Sequence, residues 1–170
     1  MDTSLAFLEK SRALLAEYRE KIARSMAPLN DDDIWWRPNE RSNSIGNLVL
    51  HLCGNVTQWM IGGVGDRAYE RHRQQEFDQR GPLPKTVLLE RLDAVVRTAD
   101  DVLEHLDPQT LLHRKKIQGY DVATLEAIYH VIEHFSMHTG QIILLAKARA
   151  DLDLELWEAP GAAPTERPAP

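Results

Sequence analysis

The chain has 170 residues and a mass of 19.4 kDa, enough for one domain. Hydrophobic residues at 43% and charged residues at 27% exclude wholesale disorder and fit a globular chain. Twenty Lys/Arg against 26 Asp/Glu give a net charge of −6, which argues against a general nucleic-acid binder, whose affinity comes from neutralising phosphates.

Nine prolines divide the chain into helix-compatible segments, because proline is costly inside a helix and tolerated at its ends. The first segment is predicted over residues 3–27. Leu8, Leu15, Ile22 and Leu29 recur every seven residues, with Leu5, Tyr18 and Met26 beside that stripe and charges opposite. Residues 28–43 form a loop whose Trp35, Trp36, Arg37 and Pro38 pack against one bundle end; Trp35 or Trp36 could line a pocket mouth.

A second helix is predicted over residues 44–61, with Ser42 or Ser44 as N-cap and Gly62-Gly63 as its stop. Residues 42–65 hold no Asp, Glu, Lys or Arg. Asn43, Asn47, His51, Asn55, Thr57 and Gln58 interrupt that stretch, so it reads as a buried bundle helix and no membrane association is expected. Residues 62–83 make a long crossover with a short helix near 69–77.

The third helix is predicted over residues 84–106 from Leu88, Leu92, Val95, Val96, Ala99, Val102, Leu103 and Leu106, with Asp107-Pro108 ending it. His113-Arg114-Lys115-Lys116 reads as a solvated turn. The fourth helix spans 122–150, with Leu125, Ile128, Val131, Ile132, Phe135, Ile142, Ile143 and Leu145 on its apolar side. Trp59 and Tyr129 fit core positions, and His72 and His105 the surface. Strands are at most minor. The expected fold is an all-α four-helix bundle with a long crossover between helices 2 and 3, one domain over 1–158. An Ala/Pro-rich tail over 159–170 is expected to be disordered.

Cys53 is the single cysteine, so no intrachain disulfide forms, and a reducing, cytoplasmic location follows. The first thirty residues carry charges throughout and no apolar signal-peptide core. Against one cysteine stand seven histidines. A metal site here must rest mainly on imidazole.

His130, His134 and His138 form an H-x-x-x-H-x-x-x-H run. Adjacent members meet at i,i+4 and can grip one ion; the outer two lie about 12 Å apart along the axis and cannot. A metal therefore takes one pair and recruits another ligand. His51, flanked by Leu50 and Leu52 on helix 2 and sharing its side with Asn47, Asn55 and Gln58, is the best outside ligand. Both pairs stay open on spacing alone. His130-Val131-Ile132-Glu133-His134 matches H-x-x-E-H, with Glu133 as base, although Glu133 sits about 100° from His134 on a helix. Cys53 lies about 200° from His51 and reads as a core residue.

Several stretches carry a resemblance: Trp35-Trp36-Arg37-Pro38-Asn39-Glu40, then Ser44-Ile45-Gly46-Asn47-Leu48 leading to His51-Leu52, then His134-Phe135-Ser136-Met137-His138-Thr139-Gly140-Gln141-Ile142. Glu76-Phe77 in the crossover adds to them. Together they resemble the DinB/YfiT-like superfamily of bacterial metal-binding four-helix bundles, and within it an uncharacterised subgroup with the Trp-Trp-Arg-Pro-Asn-Glu loop. The resemblance implies a three-histidine site of His51, His134 and His138, with His130 one turn upstream. Asn55, His130, Glu133 and Gln141 are candidate supporting groups; no catalytic residue and no organic cofactor is assigned.

Three imidazoles leave coordination positions open, as in catalytic zinc sites, where a bound water is acidified or a thiolate held. Zinc, nickel and iron all accept this ligand set. Relatives imply a metal-dependent enzyme acting on a small molecule: a thiol-dependent S-transferase or isomerase using a low-molecular-weight thiol, or a hydrolase. They also imply a homodimer. The alternative is a non-catalytic metal-binding bundle acting through dimerisation or protein association.

Overall fold

In the computed structural model, which describes residues 2–151, 153, 154 and 156, the Asp2 side chain accepts from the Ser4 amide and starts α1 (Thr3–Met26). The heptad stripe is the buried one: Leu8, Leu15 and Ile22 lie in the core. The expected tail over 159–170 lies outside the described residues.

The tryptophan loop contains a short helix that the sequence reading omitted, α2 (Asp31–Trp35). Three consecutive aspartates are poor helix interior residues. Here they occupy the first turn, where carboxylates complement the N-terminal dipole, and Asn30 and Asp33 form a reciprocal capping box. The Trp35 indole donates to Leu83 O at 3.0 Å, and the Trp36 ring lies under the Arg149 guanidinium at 5.7 Å.

Ser44 caps α3 (Ile45–Val56) in a second capping box, with Asn47. The helix does not stop at Gly62-Gly63. It continues with π-type hydrogen bonding from Thr57 to Val64. The glycine pair serves close packing rather than termination, because a Cβ on Gly62 would sit 2.1 Å from the Tyr69 ring and one on Gly63 2.5 Å from Ile117. The crossover carries α4 (Arg73–Asp78) and leads to α5 (Lys85–Glu104).

A 3-10 turn (Pro108–Leu112) precedes a hairpin of β1 (Arg114–Ile117) and β2 (Tyr120–Ala123), paired antiparallel from Arg114–Ala123 to Ile117–Tyr120. The basic run is therefore a strand and not a turn. Its charges are engaged: Arg114 pairs with Asp121, and Lys115 reaches Asp66 Oδ2 at 2.6 Å and Val64 O at 3.1 Å. The last helix, α6 (Thr124–Ala150), begins two residues after the sequence estimate because Val122 and Ala123 belong to β2.

Side-chain pairs define the directions of the four long helices. Arg12 binds Asp100 and Arg19 binds Asp93, so α1 and α5 run antiparallel. Contacts of His51 with His134 and Asn55 with His130 make α3 and α6 antiparallel. Tyr18 stacks on Phe135 while Asp33 bonds Arg149, so α1 and α6 run in the same direction. The order is up-down-down-up, and two parallel neighbours, α3 and α5, are what require the crossover. Phe135, Ile128, Leu15, Leu52, Leu92 and Leu103 are fully buried between the helices.

Tyr129 departs from its expected core position and is 60% exposed. Trp59 is buried, and His72 and His105 are exposed, as read from the sequence. Among the described residues no helix is long and apolar enough to cross a membrane.

The two arginine–aspartate pairs between α1 and α5 yield a first prediction. The hydrogen bond from Arg19 lowers the Asp93 pKa, and that from Arg12 lowers Asp100. A carboxyl depressed on folding stabilises the fold above its unfolded pKa, and that contribution is lost as pH falls through the folded value. Asp93→Asn and Asp100→Asn should each lower stability at neutral pH by up to about 1 kcal/mol, given their partial exposure. In urea titrations the deficit should shrink as pH falls below the ordinary carboxyl value of 3.8.

Candidate metal centre

Histidine inside a helical core needs partners for both ring nitrogens, and α3 and α6 supply three such rings to one place. His51 comes from the middle of α3; His134 and His138 come from successive turns of α6. Their ring centroids lie 4.4–5.1 Å apart, and one nitrogen from each falls within 4.8 Å of the other two. His51 Nε2 and His134 Nε2 are 2.9 Å apart.

Two of the remaining ring nitrogens are held by acceptors. Glu76 Oε2 lies 2.8 Å from His51 Nδ1, and Gln141 Oε1 lies 2.7 Å from His138 Nδ1. Burial would raise the Glu76 pKa, but hydrogen bonds from Arg71 and His51 outweigh it and hold it below the usual carboxylate range. An ionised carboxylate only accepts, so His51 Nδ1 donates and its Nε2 keeps a lone pair. A donor–acceptor match with Gln141 Oε1 leaves His138 Nε2 in the same state. That atom is buried and has no hydrogen-bond partner among the described residues.

Protonation does not compete for the His134 and His138 lone pairs near neutrality. Burial, followed by the neighbouring histidines, lowers His134 to about 3; burial also lowers His138. Three convergent imidazoles, two of them with a tethered outer nitrogen, are the donor set a divalent transition ion takes. The residues fit the group.

Around the triad, Phe77 packs on the His51 ring at 4.8 Å. Arg71 clasps Glu76 through Nε at 2.7 Å and Nη2 at 2.9 Å and donates Nη1 to Gln58 Oε1 at 2.8 Å. One turn along both helices lies a second polar layer. Asn55 Nδ2 is 3.4 Å from His130 Nε2, the Trp59 ring packs on His130 at 4.3 Å, and Asn55 Oδ1 is buried with no partner among the described residues.

The spacing left two histidine pairs open, and the structure brings His134 and His138 together with His51. His130 stands beside them, outside the group of three. Gln141 supports His138 as expected. Glu133 does not reach the centre: it is exposed in a groove with Tyr18 and Tyr129. Cys53 is half-buried on the other side of α3, in a cleft with Leu83 and Arg91.

Sequence reasoning quoted Glu76 only within the resemblance and gave neither it nor Arg71 a role, since both lie in a charged crossover. One signal was available: Gly54, mid-helix in an apolar segment. A Cβ there would fall 2.0 Å from Glu76 Oε1, so glycine makes room for the carboxylate.

The profile of the family described as "Protein of unknown function (DUF1572)" matches residues 2–160. The chain belongs to this family. Two crystal structures share its fold. A conserved protein from Enterococcus faecalis superposes with a TM-score of 0.71 at 15% identity, covering 89% of this chain and 99% of its own. A DinB-like protein from Bacillus cereus ATCC 10987 gives 0.67 at 16% identity, covering 92% and 95%. No functionally curated protein matches. The DinB-like four-helix bundle inferred from the motifs is thus the observed fold, with a two-stranded hairpin added to it.

For this DinB-like chain, His51→Ala, His134→Ala and His138→Ala should each abolish stoichiometric zinc binding in equilibrium dialysis, while His130→Ala retains it. Glu76→Gln should weaken zinc roughly 10–100-fold by loosening His51. Full zinc binding by His138→Ala together with its loss in His130→Ala would reassign the ligands.

Proposed function

We propose that this protein is a metal-dependent enzyme that transfers or isomerises a small molecule with a low-molecular-weight thiol as co-reactant. The observation that carries the reading is the buried, unpartnered His138 Nε2 converging with His51 Nε2 and His134 Nε2. Zinc, nickel and iron all suit that donor set. When bound, such an ion supplies Lewis acidity and favours the thiolate form of a coordinated thiol.

The chain's own groups prepare that chemistry. Glu76 keeps the proton on His51 Nδ1 and thereby aims Nε2 inward; Gln141 does the same for His138. Asn55 Oδ1, buried and free, can accept from a substrate N–H or O–H one turn from the triad. Phe77 shields one face of His51.

Cys53, the single cysteine, does not compete with the incoming thiol. Desolvation pushes the Cys53 thiol up to about 12, and Cys53 is not part of the three-histidine group. Three histidine ligands would leave room on a bound ion for a thiol that arrives from solution. In transfer, the sulfur forms a bond to an electrophilic carbon, the leaving group departs with its electron pair, and the thiol proton passes to solvent.

The test is turnover of a panel of electrophilic small molecules by zinc- or nickel-loaded protein with added bacterial thiols. Thiol-dependent product formation should disappear with chelator and fall at least 100-fold in His138→Ala. Asn55→Ala should retain metal and raise KM. A stoichiometrically loaded protein whose metal has four protein ligands and no exchangeable position would overturn the enzymatic reading.

A further inference from the structure

A chain of ring contacts leads from the metal centre to the surface. The His130 ring lies 5.5 Å from that of His134 and nearly parallel to it, at 27°. Trp59 packs on His130 at 4.3 Å, and Tyr120, 62% exposed on the hairpin, stacks on Trp59 at 6.2 Å. Beside them stands Asn55, only 4% exposed. Its amide nitrogen is directed to His130 Nε2, and its Oδ1 has no partner among the described residues. All four side chains lie outside the group of three histidines. A buried acceptor left open is destabilising, and packing by itself does not satisfy it.

We propose that Asn55, Trp59, His130 and Tyr120 bind the non-reacting end of the substrate, an uncharged ring that carries an N–H or O–H donor. The inference rests on the reading of the triad as the reacting centre. Each part of the description follows from a side chain. Trp59, His130 and Tyr120 offer ring faces and edges, against which a planar group packs in offset or edge-on fashion. Asn55 Oδ1 only accepts, so the group that completes it has to donate. The Trp59 indole N–H does not compete for that oxygen, because it donates to Gln118 Oε1 at 3.1 Å.

Charge and size narrow the class further. Residues 42–65, which supply Asn55 and Trp59, contain no Asp, Glu, Lys or Arg. His130 Nε2 accepts from Asn55 Nδ2 and so carries no proton. A carboxylate or phosphate at this end would find no cation among the four side chains and would meet Asn55 Oδ1 as a second acceptor. Asn55 follows His51 by four residues and His130 precedes His134 by four, so the layer lies about 6 Å from the triad, one helical turn. A six-membered ring with its donor and its reacting atom at opposite ends spans that distance. The way in passes the hairpin tip, where Gln118 and Tyr120 cover Trp59 and are themselves exposed.

The test follows the indole N–H signals of the four tryptophans by NMR in the zinc-loaded full chain, with benzamide as the probe. Benzamide is planar, uncharged and donates an N–H. N,N-dimethylbenzamide lacks the donor, and benzoate carries a charge in its place. Benzamide should shift the indole signal that is absent from Trp59→Phe, and the other two probes should bind at least fivefold more weakly. Asn55→Ala, with helicity and zinc content unchanged, should bind benzamide and its dimethyl form equally. Tyr120→Ala should weaken both alike. Selectivity in the wild type is a test by itself, even where a variant does not fold. A Trp59 signal indifferent to benzamide, equal binding of the dimethyl form by wild type, or selectivity that survives in Asn55→Ala would each overturn the proposal. No thiol and no turnover enter the measurement. A metal closed by four protein ligands would therefore defeat the enzymatic reading and leave selective binding intact, whereas thiol turnover without amide selectivity would do the reverse.

Discussion

A buried carboxylate governs how the crossover meets the bundle. Glu76 is only 9% exposed, and an ionised carboxylate in that position is tolerable only with its oxygens paired. Arg71 and His51 supply that pairing from two directions, one within the crossover and one from α3. Once Glu76 is fixed, α4 must lie across α3 at the level of Gly54, the position where a side chain would collide with it. Asn47 secures the same approach two turns earlier: its amide donates to Glu76 O at 2.8 Å and Gln79 O at 2.9 Å, while Arg37 bonds its Oδ1 at 2.6 Å. A long irregular connection is thereby held with its backbone carbonyls satisfied.

The same interactions explain why a polar seam can run through an apolar bundle. Along α3, Asn47, His51 and Asn55 recur at four-residue intervals and are all buried. Asn47 is fully engaged, His51 has one nitrogen tethered and one aimed inward, and Asn55 keeps an unpaired oxygen. Satisfaction thus declines along the seam, from structural closure at the crossover to open valence at the histidines and beyond. Unsatisfied buried polar atoms are costly in a core, and here they gather where a ligand can complete them.

Much of this was legible in the sequence because helical periodicity is a local signal. Leu8, Leu15 and Ile22 on α1 and the apolar run of α3 are buried as their spacing requires. The pairing of His51 with His134 and His138 was legible from the motif resemblance, while spacing alone stopped at two equivalent pairs. What escaped was non-local. Glu76 became part of the site through a fold-back of 25 residues, which no periodicity reports. Gly62-Gly63 looked like a stop because glycine usually ends helices, but close approach by Tyr69 and Ile117 was the deciding constraint. The hairpin was hidden by a basic run whose charges are paired only once Asp66 and Asp121 are brought alongside.

The apolar pattern of α6 was the hardest to read, because the helix answers to three demands around its circumference. One side, with Ile128, Val131, Phe135 and Ile142, meets the core; another presents the histidines to α3; the outer side carries Tyr129, Met137 and Leu144. A single amphipathic stripe would separate core from solvent, and periodicity analysis assumes that separation. Tyr129 was assigned to the core for this reason, although its ring is exposed. The outer and histidine faces can be altered separately, because Gly140, in the middle of the outer face, lies about 120–160° around the helix from His134 and His138.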